Sequence, residues 1–331
     1  MKSEIKILVT AFSLFISSFA IAQDSESSSE TFSPNGKPIV TIYSDFSVEN
    51  SNGKSNAGFE VARAYLGYAY NFSENFSAKV VFDIANTSGL TPSSYTAFLK
   101  NAYTEYSTKN IKLNFGMIST TSFKFQESFW GKRYMYKSLQ DEYCFESSAD
   151  LGTSFKWDIL PLLSLDLSVF NGEGYKKVQL DSTLKVAAGL TIEPIKNLYG
   201  RVYFDYMKNG IAQSTFNVFA GYKASKGLIG AEYNLQNANK MIADRNWSSV
   251  SIYGNYSFAK KLSVFGRFDK VTSDVLANTT SGWNSTDGNV YIAGIEYIPV
   301  KGIQITPNFR YSDFDNGSNS KSIYLNIGLN L

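Results

Sequence analysis

The chain has 331 residues, 15% of them aromatic, with 22 Tyr and 25 Phe against 7 Pro; it contains one cysteine and no histidine. Without histidine there is no Ser-His-Asp or Cys-His nucleophile, no histidine-bearing zinc site and no usual general base near neutral pH. No paired-carboxylate motif stands out to replace them, so no enzyme is expected and no cofactor or metal is implied. The formal charge of +2 becomes +1 once Lys2, Lys6 and Glu4 leave with an N-terminal signal, which gives no reason to expect nucleic acid as a partner.

Lys2 and Lys6 flank an apolar, small-residue run from Ile7 to Ile21 that ends in Ala20-Ile21-Ala22 before Gln23. This pattern predicts a secretory signal peptide over 1–22, cleaved after Ala22. Residues 23–37 are rich in Ser and Glu and read as a flexible periplasmic leader. No later window has the run of about eighteen apolar residues that a spanning helix needs, so residence in a membrane has to use strands.

Over 38–331 the chain breaks into period-two segments bounded by turn residues. Sixteen strands are predicted: 38–48, 59–72, 76–86, 96–108, 111–118, 148–158, 162–171, 183–192, 198–208, 214–223, 226–235, 247–258, 262–272, 288–298, 302–312 and 320–331. Their connections alternate in length. SEN, TKN, LPL, EPIKN, AS, AKK and PVK are tight, whereas SNGKSNAG, TSGLTPSS, GEGYKKVQLDS, QNANKMIADRN and TSDVLANTTSGWNST are long. Short turns on one side and longer loops on the other are the habit of an up-and-down barrel in a bacterial outer membrane, with both termini in the periplasm.

Within strands the faces separate. Ile323, Leu325, Ile327, Leu329 and Leu331 oppose Ser322, Tyr324, Asn326, Gly328 and Asn330, and Leu163, Leu165, Leu167 and Val169 oppose Ser164, Asp166 and Ser168. Aromatics gather near strand ends (Tyr70, Phe72, Phe76; Tyr256, Phe258; Tyr297), as an interfacial girdle would. The fold class expected is therefore all-β, a transmembrane antiparallel barrel whose partner is the lipid bilayer. Two alternatives remain open: a secreted soluble β-sandwich binding protein with the apolar faces in a dry core, and a non-conducting structural or adhesive barrel. Pro307, inside a strand of a closed sheet, calls for a bulge.

One long interruption, 119–147, is rich in rings (Phe123, Phe125, Phe129, Trp130, Tyr134, Tyr136, Tyr143, Phe145) and in charges of both signs. A solvated loop has little use for so many rings, so it reads as a third outward loop folded back into the lumen. Lys124, Glu127, Lys132, Arg133, Lys137, Asp141 and Glu142 are its constriction candidates. The lone Cys144 reads as a small apolar residue in a packed loop. Alternation turns Arg63, Lys112, Lys156, Arg201, Arg267 and Arg310 inward as lumen-wall candidates, with Lys79, Asp83, Asp166, Lys185, Asp205, Lys223 and Asp269. Each is a solvated charge on a wet face in the plain reading. Together, with cations in excess, they point to passage of small hydrophilic solutes with a weak anion preference, although a transverse field between acidic loop and basic wall fits equally well.

The passage Gly116 to Phe155, with FGMIST entering the interruption, WGKRYMYKS inside it and SSADLGTSF leaving it, resembles the phosphate-selective porin O and P family of outer-membrane porins. The resemblance implies a homotrimeric diffusion channel whose third outward loop enters the pore, with cations near the constriction attracting anions such as phosphate. By position, Lys124, Lys132, Arg133 and Lys137 would carry that role. Unlike that family, the chain shows no conspicuous arginine ladder.

Overall fold

The computed structural model describes residues 32–86 and 94–331. The expected signal peptide, the leader up to residue 31 and all but the last residue of TSGLTPSS lie outside the described residues. Sixteen strands follow in order: β1 (Asn35–Ser51), β2 (Lys54–Asn71), β3 (Phe76–Asn86), β4 (Tyr95–Ser107), β5 (Ile111–Ser119), β6 (Ala149–Leu160), β7 (Leu163–Phe170), β8 (Lys185–Ile195), β9 (Leu198–Asn209), β10 (Ile211–Ala224), β11 (Gly227–Asn237), β12 (Trp247–Ala259), β13 (Leu262–Ser273), β14 (Gly288–Tyr297), β15 (Ile303–Phe314) and β16 (Asn319–Asn330). Each pairs antiparallel with its chain neighbours, and β1 closes on β16 from Thr41 opposite Asn330 to Ser51 opposite Ser320.

Closure leaves the sheet without a lateral edge, so the ladder runs round the whole ring, with a lapse at Pro307 between β14 and β15. One face of this single layer carries a band of exposed apolar side chains, among them Phe115, Ile323, Phe204 and Ile252. A sandwich would bury that face against a second sheet; here there is one closed sheet, and the soluble two-layer alternative falls. Hydrocarbon is the solvent that such a band matches. Phe72, Phe76, Tyr256 and Phe258 are exposed near the tight turns, at the level of an aromatic girdle.

Between β2 and β3, and at every second connection thereafter, the turns run two to five residues. The opposite end holds the long connections, but not all that the composition suggests. SNGKSNAG is a two-residue hairpin turn, Asn52 and Gly53 at φ 50° and 80°, and Lys54 to Gly58 extend β2. Asn-Gly with both residues at positive φ is the turn whose twist matches the flanking strands. The strand start is silent in the sequence because KSNAG is exposed on both faces and carries no period-two signal. In the same way β1 begins at Asn35, so Asn35 to Lys37 belong to the wall and not to the leader.

Away from the tight turns, two of the register shifts re-aim side chains. Tyr43 faces Arg63 and Ser44 faces Val61, which leaves Ala62 as a bulge; Val81 faces Asn101 and Phe82 faces Leu99, which leaves Lys100 as another. Pro307 does not bulge. Its register with β16 is unbroken, and pairing with β14 lapses opposite Thr306 and Pro307, then resumes at Tyr297 opposite Ile305 in the same register. The missing N–H opens a short gap in the ladder, with no extra residue inserted.

Leu325 sits midway along β16 in the apolar band. Leu325→Arg is expected to destabilise the barrel by about 2–4 kcal/mol if that band lies at the bilayer midplane. Folding into lipid vesicles across a denaturant series measures it, and a cost near zero would place Leu325 outside hydrocarbon.

Candidate functional site: the segment between β5 and β6

Residues 120–148 connect β5 to β6 and contain two short helices, α1 (Lys124–Trp130) and α2 (Leu139–Glu142). Neither is long enough to persist alone. Gly131, left-handed at φ 69°, ends α1 and donates its N–H to the Glu127 carbonyl at 2.9 Å. Packing holds the rest. Phe125 and Phe129 meet Phe219 and Tyr199, Trp130 lies edge-on to Tyr253 and Phe265, and Phe145 stacks on Trp247 with centroids 3.8 Å apart and planes 3° apart. Trp130 is 1% exposed and Leu139 is fully buried.

Polar latches act on the same side. The wall donates to carbonyl oxygens of the segment: Arg201 to Thr121 at 2.8 Å, Arg310 to Met135 at 2.9 Å, Arg267 to Lys137 at 2.7 Å, Gln236 to Phe145 at 2.9 Å and Tyr253 to Gln126 at 3.4 Å. Lys132 reaches Glu296 at 2.6 Å, Lys185 reaches Glu146 at 2.6 Å, and Gln126 donates to Asn217 at 2.5 Å. Glu296 also accepts from Tyr134 at 2.7 Å. One segment thus touches β8 to β15 on one side, and β1 and β2 through Tyr43 and Tyr65.

The candidate residues therefore divide. Arg201, Arg267 and Arg310 are latches; Arg201 is also paired with Asp166 and Arg267 with Asp269, each nearly fully buried. Lys132 is a buried anchor. Arg133 bridges Glu127 and Asp141, which ties α1 to α2. Lys124, Lys137 and Glu142 keep substantial exposure, in the pairs Lys124–Glu127 and Lys137–Glu142. Lys112 and Lys156 are 45% and 49% exposed beside Glu105 and Asp158. Arg63 holds Asp83 at 2.9 Å. Cys144 is exposed, at φ 59° just beyond α2, and not packed as its composition suggests.

Two hollows remain. One, of about 300 Å³, separates the segment from β1 to β3 and is lined by Arg63, Arg133, Lys137 and Arg310 against Asp45, Glu60 and Glu142. The other, about 350 Å³, lies beside β5 to β7 with Lys112, Lys124, Lys156 and Arg201 against the single carboxylate Asp166. Strict alternation misses Lys100, because the bulge that turns it inward is invisible to a period-two count. Its ammonium lies 3.7 Å from Asp83, which also accepts from Tyr175 at 2.6 Å, and 4.7 Å from the centre of the Tyr65 ring. Glu296 is also missing from the sequence candidates, and the signal that could have found it is its phase with the other inward positions of β14.

No family model and no curated protein matches the sequence. Solved structures do. The outer-membrane channel DcaP of Acinetobacter baumannii is similar at TM-score 0.65 and 14% identity, covering 93% of this chain and 100% of that one. Pseudomonas putida OprB is similar at 0.68 and 10%, covering 89% and 94%, and an anion-selective porin from Comamonas acidovorans at 0.68 and 8%, covering 90% and 100%. The fold is that of a sixteen-stranded outer-membrane porin barrel. At these identities the likeness is one of fold.

Lys132 and Glu296 are 4% and 10% exposed at the side chain. Lys132→Ala, which strands the carboxylate, is expected to weaken docking by about 3–5 kcal/mol, and the double change Lys132→Met with Glu296→Leu should recover most of it. Protease nicking of the segment in folded barrels reads this. Burial works against charge on Asp141, but Arg133 and then Lys137 outweigh it and hold the carboxyl below its ordinary value. Its contribution is complete above the unfolded value of about 4 and is lost as pH falls through the lower folded value. Trp130 fluorescence should thus be flat down to about pH 4 and change below it; an Asp141-dependent transition above pH 5, absent in Asp141→Asn, would contradict this assignment.

Proposed function

We propose that the chain is an outer-membrane porin, exported by the signal at 1–22, through which small hydrophilic solutes diffuse passively with a mild preference for anions, phosphate among them. The observation that carries this reading is the one-sided docking of the segment. Its apolar face is pressed onto β8 to β15, and charged residues on its other side line the hollows beside β1 to β3 and β5 to β7. The hollows are lined by four cations to three carboxylates in one case and four to one in the other, and Lys112, Lys124 and Lys156 of the second are each paired with a carboxylate outside that lining, Glu105, Glu127 and Asp158. In a narrow passage with low-dielectric walls, the exposure of those lysines, more than a net excess of cations, gives the passage a mild preference for negatively charged permeant ions.

Lys112, Lys124 and Lys156 are the side chains most available to a passing anion, because each is about half exposed. Arg133 acts differently: held by two carboxylates, it shapes the constriction and contributes little free charge. Arg63 is likewise paired, so a ladder of free arginines suited to phosphate alone is not what the open side offers. Small anions as a class are the better description of the cargo. The homotrimer implied by the resemblance to the phosphate-selective porins forms part of the same proposal, with cross-linking in native membranes as its test.

Planar-bilayer recordings in a salt gradient test the channel and its selectivity separately. Steady conductance with a reversal potential on the anion side is expected. One charge a few ångströms away in water is worth about 1 kcal/mol, so Lys124→Glu together with Lys156→Glu should lower the anion-to-cation permeability ratio roughly fivefold or more. Cation selectivity of the unmodified protein would defeat the anion proposal and spare the channel. Absence of conductance from folded protein would favour the plugged structural barrel.

A further inference from the structure

The outward face over β11 to β16 is uneven. One transverse row reads Ile229, Gly254, Gly266, Ala293, Phe309, Ile323, each residue opposite the next across the ladder. The three small residues at its centre floor a groove of about 740 Å³, walled by Ile252, Phe268 and Tyr291 on one side and Tyr256 and Val264 on the other. Backbone geometry does not require a glycine at 266. Its φ is outside the left-handed region, and a Cβ there would meet nothing nearer than the Ile292 carbonyl oxygen at 3.9 Å. A bulky side chain would fit without strain and would fill the groove.

The next row toward the long connections is Phe268, Tyr291, Tyr311, Lys321. Its rings meet in series, Phe268 to Tyr291 at 5.1 Å and Tyr291 to Tyr311 at 6.2 Å, and the Lys321 ammonium lies 5.9 Å from the centre of the Tyr311 ring. One row further stand Lys270, Asn289 and Asp313. None of Lys270, Lys321 and Asp313 makes a salt bridge among the described residues. The groove is thus a dry channel bordered by an aromatic ridge, with two free lysines and one carboxylate at its polar rim.

We propose that this groove holds the acyl chain of a phosphate-bearing anionic lipid, with its headgroup at Lys270 and Lys321. A chain lying among Gly254, Gly266 and Ala293 replaces a void in the apolar band with contact, and the lysines supply charge at the depth where a headgroup emerges. Asp313 makes phosphate preferable to a larger acidic cluster, because it leaves a net charge of one to neutralise. The inference requires the barrel in a bilayer and does not require it to conduct.

The test is native mass spectrometry of folded barrel released from nanodiscs that contain equal phosphatidylglycerol and phosphatidylcholine. Retained lipid is expected to be mostly phosphatidylglycerol. Each lysine near a surface charge is worth roughly a fivefold change in affinity, so K270Q with K321Q should abolish the preference for the anionic lipid. Gly266→Leu should reduce retention of both lipids while the barrel keeps its folded, heat-modifiable mobility. Equal retention of the two lipids by the unmodified protein, or an unchanged preference in K270Q/K321Q, would overturn the proposal. So would cross-linking of a second copy through a cysteine placed at 266, which would show that protein covers the groove.

Discussion

Every backbone N–H and C=O that faces hydrocarbon has to find its partner inside the protein, and the pairing of β1 with β16 is what makes that possible here. With the ring closed, only side chains remain to be sorted, and a period of two does most of it: an apolar band outward, and inward a mixture of polar groups with the rings that pack on the segment between β5 and β6. The inward face is consequently dense with charge and amide groups that no dry core would accept. Asp83, Asp205, Asp269, Asn217, Asn234 and Gln236 all lie there with essentially no exposure. They are tolerated because they are hydrogen-bonded: Asp83 to Arg63 and Tyr175, Asp205 to Tyr203, Asp269 to Arg267 and Ser251, Asn217 to Asn234, and Gln236 to the Phe145 carbonyl of the segment between β5 and β6.

That segment relates the fold to the passage. It is asymmetric in a way that follows from its composition, with Phe129, Trp130 and Phe145 on the side that meets Phe219, Tyr253, Phe265 and Trp247, and Lys124, Lys137 and Glu142 as its more exposed charges. Hydrophobic contact and charge-assisted hydrogen bonds act in the same direction, and both draw it to one wall. Buried ion pairs such as Lys132–Glu296 and Lys185–Glu146 add little net stability compared with an apolar substitute, but a misplaced segment would leave each charge stranded. They fix the position more than they strengthen it.

The architecture was legible wherever one face met lipid, because lipid enforces alternation; all sixteen strands, the tight turns and the outlier at 119–147 follow from it. Legibility failed where that constraint is absent. Lys54 to Gly58 are exposed on both faces, so the β1–β2 hairpin looked like a loop. Lys100 sits on a bulge, which shifts the phase by one. At Pro307 the chain loses a donor yet keeps its register, an outcome a sequence pattern does not distinguish from a bulge. The site was half legible. Inward arginines were found, but whether an arginine faces water or grips a neighbouring chain depends on what lies across the lumen, and nothing in the alternation of β9, β13 or β15 records that Thr121, Lys137 and Met135 end up opposite them.

The grip of those arginines has an evolutionary side. Arg201, Arg267 and Arg310, with Gln236 and Tyr253, hold the segment by its main-chain oxygens, an atom that every amino acid possesses. A lineage can therefore exchange the side chains that project from the captured strip, and in the proposed channel retune what passes, while the scaffold's hold on it is inherited intact.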